Sequence, residues 1–164
     1  VRILRVHGSE PKYFHKTIGG NFRLDAIQAA VVLAKLNYLD HWTELRRQNA
    51  ETYKTLFEKR GLPNSLELPS ETTPRHVYNQ YVIRVKDSRN DLRQFLNKNH
   101  VATEIYYPLP LHLQECFKNL GYHQGDFPVA ERAADEVLAL PVYPELTENQ
   151  LEYVVEMIAH FFKK

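Results

Sequence analysis

This chain is short of several things, and each shortage excludes something. It has one cysteine, one methionine and one tryptophan among 164 residues. A single thiol, Cys116, rules out an internal disulfide framework and fits a reducing compartment, so the expected location is cytoplasmic. Charge of one sign is lacking too: 21 Lys and Arg stand against 20 Asp and Glu, a net of +1. The basic residues are interspersed, so nothing draws the chain to nucleic acid or an anionic membrane. No apolar run approaches the ~20 residues of a membrane span, and no signal-peptide pattern opens the chain. Glycine is scarce, with six residues, which makes the adjacent pair Gly19-Gly20 stand out.

What is present is ordinary for a globular domain: 43% hydrophobic and 25% charged residues, enough for a real core. Residue 1 is valine and the only methionine is Met157, so the chain is expected to be the C-terminal part of a longer protein. Val1 to Val6 reads as a strand or extended segment. From Arg23 to about Tyr38 the apolar positions Leu24, Ile27, Val31, Ala34 and Tyr38 follow helical spacing. A polar joint at Asp40-His41 leads to a second helix from Trp42 to Arg60, stopped by Gly61 and Pro63. With no Pro or Gly between Arg23 and Arg60, the two helices are readable as one long bent rod. Trp42, with Tyr38 and Leu39, reads as the hydrophobic joint between them.

Further on, His76 to Val85 and Val101 to Tyr107 read as strands, with a helix from Arg89 to Asn99 between them. A short helix is expected near Gln114 to Leu120, and another from Pro128 to about Val137. Leu138 to Val142 reads as a short strand that Pro141 confines to an edge or turn. Thr147 to Gln150 is a capping box that opens a last helix to about Phe162. Phe57, Tyr78, Tyr81, Phe95 and Phe161 are candidate core. The order predicts an α+β layer, a small antiparallel sheet covered by helices and preceded by a long linking helix.

The string IGGNFRLDAIQAA, Ile18 to Ala30, carries the first candidate chemistry. Glycines let a backbone approach a ligand, asparagine caps helices well, and helix-start amides favour anions. Asn21 with Gly20 is therefore either a phosphate cradle or a plain loop and cap. Arg23 either pairs with phosphate or substrate, or forms an ion pair with Asp25 or a partner chain. In TEIYYPLPLHLQ, Thr103 to Gln114, prolines stiffen the loop and present Tyr107 and His112 with little entropy loss. The bland alternative is a Tyr and a His packed at a domain edge. His112 and Cys116 lie a helical turn apart, but two ligands without a third make no metal site, so no metal is expected.

Together RVHG at Arg5 to Gly8, IGGNFRLDAIQAA, TEIYYPLPLHLQ and GDFPVAERAADEVLALPVYPELTENQ at Gly125 to Gln150 run in order along the chain. They resemble the DegT/DnrJ/EryC1/StrS family of sugar aminotransferases, which depend on pyridoxal 5'-phosphate. The resemblance implies the aspartate-aminotransferase fold (fold type I), a large α/β cofactor domain followed by a small α+β domain, working as a homodimer. Residues 1–40 would then end the large domain and 41–164 form the small one. It implies that Asn21 reaches across the dimer to the cofactor phosphate of the neighbouring subunit, beside Gly20. It also implies that Arg23, Tyr107, His112 and His7 line the nucleotide-sugar site, with Gly8 beside His7. Tyr13 and His15 are open between interface packing and ligand contact.

The lysine that forms the Schiff base lies upstream of Val1 in that family. None of the lysines present, from Lys12 and Lys16 to the terminal pair Lys163-Lys164, sits in a plainly buried context, so this chain alone is expected to be inactive. The implied activity of the whole protein is transfer of an amino group from an amino acid, glutamate, to a nucleotide-linked keto-sugar. The alternative is a non-catalytic dimerisation or regulatory module that binds a small ligand.

Overall fold

The computed structural model describes residues 1–62 and 65–163. Pro63 and Lys164, both read above, lie outside the described residues. The chain divides into two compact units, Val1–Asp40 and His41–Lys164, each built by its own rules.

In the first unit the opening segment is a turn, not the expected strand. Arg5 N–H donates to Val1 O at 3.2 Å and Gly8 N–H to Ile3 O at 2.7 Å. A short alternating segment with no partner ladder closes its backbone polar groups locally instead. Val6 alone keeps a β-like pairing, an antiparallel bridge to Asn21, and a second bridge joins Ser9 to His15. Helix α1 spans Ala26–Leu36, shorter than the Arg23 to Tyr38 expected. Its N-cap is Asp25, whose carboxylate accepts from the amides of Ile27 and Gln28. Asn21 is therefore not the cap, because a carboxylate at this position satisfies two free amides and also suits the positive end of the helix dipole. No residue of α1 is buried, and Ile27, Val32, Leu33 and Leu36 are all exposed.

The helical pattern does not run through as one rod. The chain leaves α1 at the C-cap Asn37, Tyr38 N–H donates to Lys35 O at 3.0 Å, and α2 begins at Leu39. The break falls before the expected joint at Asp40-His41.

The second unit takes most of α2, Leu39–Lys59, which buries Thr43, Ala50, Tyr53 and Phe57 along one face. Strand β1, Tyr81–Arg84, pairs antiparallel with β2, Val137–Leu140, in the register Tyr81↔Leu140 to Arg84↔Val137. Single bridges extend this layer on both sides, Glu67↔Arg84 and Glu104↔Ala139. The expected strand from His76 is shorter because Tyr78 sits at φ 43° and its amide donates to His76 Nδ1, which bends the chain out of the ladder. The expected strand from Val101 shrinks to the bridge at Glu104, whose N–H and C=O both pair with Ala139. β2 is thus an inner segment and not an edge. Pro141 lies just beyond its end and removes no donor from the ladder.

Helix α3 spans Arg89–Lys98, α4 Pro128–Glu136 with Pro128 in its first turn, and α5 Glu148–Phe162. The Thr147–Gln150 capping box forms in full. The expected helix near Gln114 is instead two 3-10 segments, Leu111–Leu113 and Glu115–Leu120, ended by Gly121 at φ 76°. Helices α2, α3 and α5 share one core with both strands. Phe57, Ile83, Leu92 and Leu138 are fully buried there, at about 1.5–3 kcal/mol each. Tyr53 joins them by donating its hydroxyl to Pro141 O at 3.0 Å, with its ring 4.9 Å from that of Tyr81. Phe95 and Phe161 pack on this core half-buried, and Tyr78 is buried. The fold class is α+β, a small antiparallel sheet covered by helices.

Candidate functional site

In the first unit a crossing of the chain over itself gathers four of the candidate residues. Gly20 N–H donates to Leu4 O at 2.9 Å, His7 N–H to Gly20 O at 3.0 Å, and Phe22 N–H to Arg5 O at 3.1 Å. These bonds hold His7, Gly20, Asn21 and Arg23 in one patch. The glycines make the crossing possible. A Cβ at Gly19 would lie 2.5 Å from Leu4 O, and one at Gly8 would lie 1.8 Å from Thr17 O. The close approach read from these glycines is thus made by the chain's own backbone. The amide of Gly20 is committed to Leu4 and the Phe22 ring packs where a Cβ would stand, 2.6 Å from that position, so Gly20 offers no free donor.

Asn21 Oδ1 accepts from Arg23 Nε at 3.1 Å. No other hydrogen bond of either side chain occurs among the described residues, which leaves the Asn21 amide protons and the outer Arg23 nitrogens as donors side by side. Among the described residues Arg23 pairs with Asn21 and not with Asp25. The α1 N-terminus already faces the Asp25 carboxylate, so a phosphate here would rest on side-chain donors and not on helix amides.

A cavity of about 480 Å³ opens beside this patch, lined by Val6, His7, Ser9, Lys12, Tyr13, His15 and Arg23. Its lining has two cations and no carboxylate. Lys12 Nζ sits 4.8 Å over the ring of Tyr13. The nearby Glu10 is engaged by Lys16 at 3.0 Å. His15 Nδ1 lies 2.8 Å from His7 O. A carbonyl only accepts, so Nδ1 carries the proton and Nε2 is the nitrogen left for other work.

The remaining candidates lie on one loop of the second unit. Tyr107 is 72% exposed, with its ring 5.9 Å from that of Tyr106 in an edge-on arrangement. His112 sits in the 3-10 segment after Pro110, and its side chain is only 7% exposed. Its Nε2 meets Glu131 Oε1 at 3.0 Å, and its ring lies 4.8 Å from Phe127. The Glu131 carboxylate also accepts from Gly125 N–H at 2.9 and 3.0 Å and from Phe127 N–H at 3.3 Å. Desolvation, the largest influence on Glu131, pushes its pKa up. The two amides and the His112 ring outweigh it and hold the carboxyl below its ordinary value.

Glu131 was missed in the sequence. Its signal was a glutamate in the first turn after Pro128, where a carboxylate reaches back to amides left free at the helix start. Cys116 is exposed, and among the described residues no three His, Cys, Asp or Glu side chains gather as a metal would need. No helix among them is long and apolar enough to cross a membrane.

Residues 1–159 match the family described as the DegT/DnrJ/EryC1/StrS aminotransferase family. The chain is 50% identical to a pleiotropic regulatory protein of Geobacillus stearothermophilus, over 99% of the chain and 43% of the relative. It is 33% identical to a dTDP-3-amino-3,6-dideoxy-alpha-D-galactopyranose transaminase of Aneurinibacillus thermoaerophilus, over 98% of the chain and 43% of the relative. A solved DegT DnrJ EryC1 StrS aminotransferase from Brucella abortus superposes with a TM-score of 0.85 at 32% identity, covering 99% of this chain and 43% of that one. The chain thus spans a little over two fifths of the proteins it matches.

Proposed function

The chain belongs to the DegT/DnrJ/EryC1/StrS aminotransferase family, and from that premise we propose that it is the C-terminal portion of a pyridoxal-phosphate enzyme that aminates a nucleotide-linked keto-sugar. The amino donor in this reading is an amino acid, glutamate. Residues 1–40 end the cofactor domain and 41–164 form the small domain, a division that the two compact units support. The enzyme works in the cytoplasm as a homodimer, and the uncovered apolar surface of α1 supports a second copy or the rest of the cofactor domain as its cover.

The observation that carries this reading is the pairing of Asn21 with Arg23 beside a cationic cavity. The residues fit a phosphate ester: a neutral amide and a guanidinium donate together, and no carboxylate lines the cavity. Asn21, beside Gly20, holds the cofactor phosphate of the partner subunit. Arg23 and His7 face the anionic end of the nucleotide-sugar. Tyr107, on the proline-stiffened loop, walls the sugar side with His112 supporting that wall from behind, and together they exclude water. Pyridoxal phosphate, when bound, supplies the carbonyl that exchanges with an amine, so that an amino group passes between substrates. Everything else asked of this chain is binding and orientation.

A second reading, a non-catalytic regulatory module, is favoured by the likeness to the Geobacillus stearothermophilus pleiotropic regulatory protein. The two separate in one cuvette. In the intact protein, glutamate should change the visible absorbance of the bound cofactor, and a nucleotide-linked keto-sugar should restore it. Cofactor-free protein, or a spectrum that no amino donor alters, contradicts the enzymatic reading.

A further inference from the structure

Resting on that reading, we propose that Glu131 is a positioning residue for the sugar-facing loop, acting through His112. The loop needs an anchor. Among the described residues, no backbone hydrogen bond ties residues 106–110 to another segment. The bonds nearby are internal: Leu113 N–H to Pro110 O and Gln114 N–H to Leu111 O, both 3.1 Å. The ring of His112 supplies the outside tie through Glu131 Oε1.

Glu131 is equipped to bear it. One carboxylate joins three pieces of chain: the 3-10 segment through His112, the turn through Gly125, and the start of α4 through Phe127. Charge-assisted bonds to several donors fix both the carboxylate and the imidazole. Phe127 closes the cluster from the side, with its ring 4.8 Å from His112 and 5.1 Å from Tyr122. His112 donates from Nε2 and has little exposed surface, so it is an anchor behind Tyr107 more than a surface that a ligand touches. The consequence is specific: Glu131 sets where Tyr107 stands and leaves the cofactor contacts at Asn21 alone.

The test uses the intact enzyme with Glu131→Ala, Glu131→Gln, His112→Ala and the Glu131→Ala/His112→Ala double variant. Each half-reaction is followed by cofactor absorbance. The glutamate half-reaction should stay within about twofold of wild type, while KM for the keto-sugar rises about tenfold, the scale of one lost charge-assisted hydrogen bond. Glu131→Gln, which keeps an acceptor oxygen, should recover part of that loss, and the double variant should be no worse than either single one. Additive losses, or equal losses in both half-reactions, overturn the proposal.

Amide exchange at Leu113 and Gln114 reads the anchor without any activity. It should quicken about tenfold in Glu131→Ala and by less in Glu131→Gln, relative to a Thr147→Ala control that loses only a helix cap. Unchanged exchange overturns the proposal. Absence of both half-reactions in the wild-type protein would instead count against the enzymatic reading.

Discussion

Asn21→Ala in the intact protein separates a ligand-holding asparagine from a structural one. In the fold, the side chain contributes one exposed bond, Arg23 Nε to Asn21 Oδ1 at 3.1 Å. Helix α1 does not depend on it, because Asp25 closes that helix. The melting temperature should therefore stay nearly unchanged, whereas loss of a true N-cap costs about 1 kcal/mol. Cofactor affinity should not be spared. A hydrogen bond to a charged group contributes about 1.5–3 kcal/mol, which is roughly a 10- to 150-fold weaker Kd for pyridoxal phosphate. Titrating apo-enzyme with cofactor, followed by absorbance, reads the Kd, and a thermal melt of the apo-enzyme reads the fold. Affinity within twofold of wild type would refute the phosphate role. A lower apo melting temperature would show that Asn21 supports the fold after all.

Three further outcomes follow from the geometry. Tyr53→Phe removes the hydroxyl that donates to Pro141 O, a half-buried carbonyl, so urea denaturation should show a loss of about 0.5–1.5 kcal/mol. Burial first, then neighbouring tyrosines, raises the phenols of Tyr53 and Tyr81 above their ordinary 10.0. Groups raised in the folded state stabilise it below the unfolded pKa and lose that contribution as pH climbs, so both should ionise only together with unfolding, above about pH 10. A rise in tyrosinate absorbance in folded wild-type protein that a Tyr53→Phe/Tyr81→Phe variant lacks would contradict this. Gly19→Ala places a Cβ 2.5 Å from Leu4 O and should open the crossing that holds Asn21, which lowers cofactor affinity while the core of the second unit melts unchanged.

The second unit was largely legible because its signals are local. Thr147 with Gln150, Pro128 at a helix start and the helix from Arg89 each announce themselves within a few residues, and the structure keeps all three. What failed was whatever a neighbour decides. The segment from Val101 has strand composition but meets β2 only at Glu104, and β2 became an inner strand because Pro141 falls just past its end. At the opening loop, composition placed the candidate residues together but left open which of them closes the helix. Asn21 looked like a cap because it precedes a helix, yet Asp25 stands closer and carries a charge. Gly19 and Gly20 looked like room for a ligand, yet a Cβ would meet Leu4 O at the first and the Phe22 ring at the second. Glu131 escaped notice because its partner His112 is distant in sequence, and a lone glutamate early in a helix is common.

The central claim is that Asn21 serves a cofactor held by another copy of the protein, and subunit complementation tests it most directly. One intact chain carries Asn21→Ala, and the other lacks the cofactor-bearing lysine proposed to lie upstream. Each alone should be nearly inactive when the cofactor is limiting. If Asn21 acts across a two-fold dimer, mixed dimers regain one complete site, and a random mixture should recover about a quarter of wild-type activity. A mixture as inactive as its two parents would place Asn21 and the lysine in the same subunit's site, or Asn21 in no site, and would contradict the account.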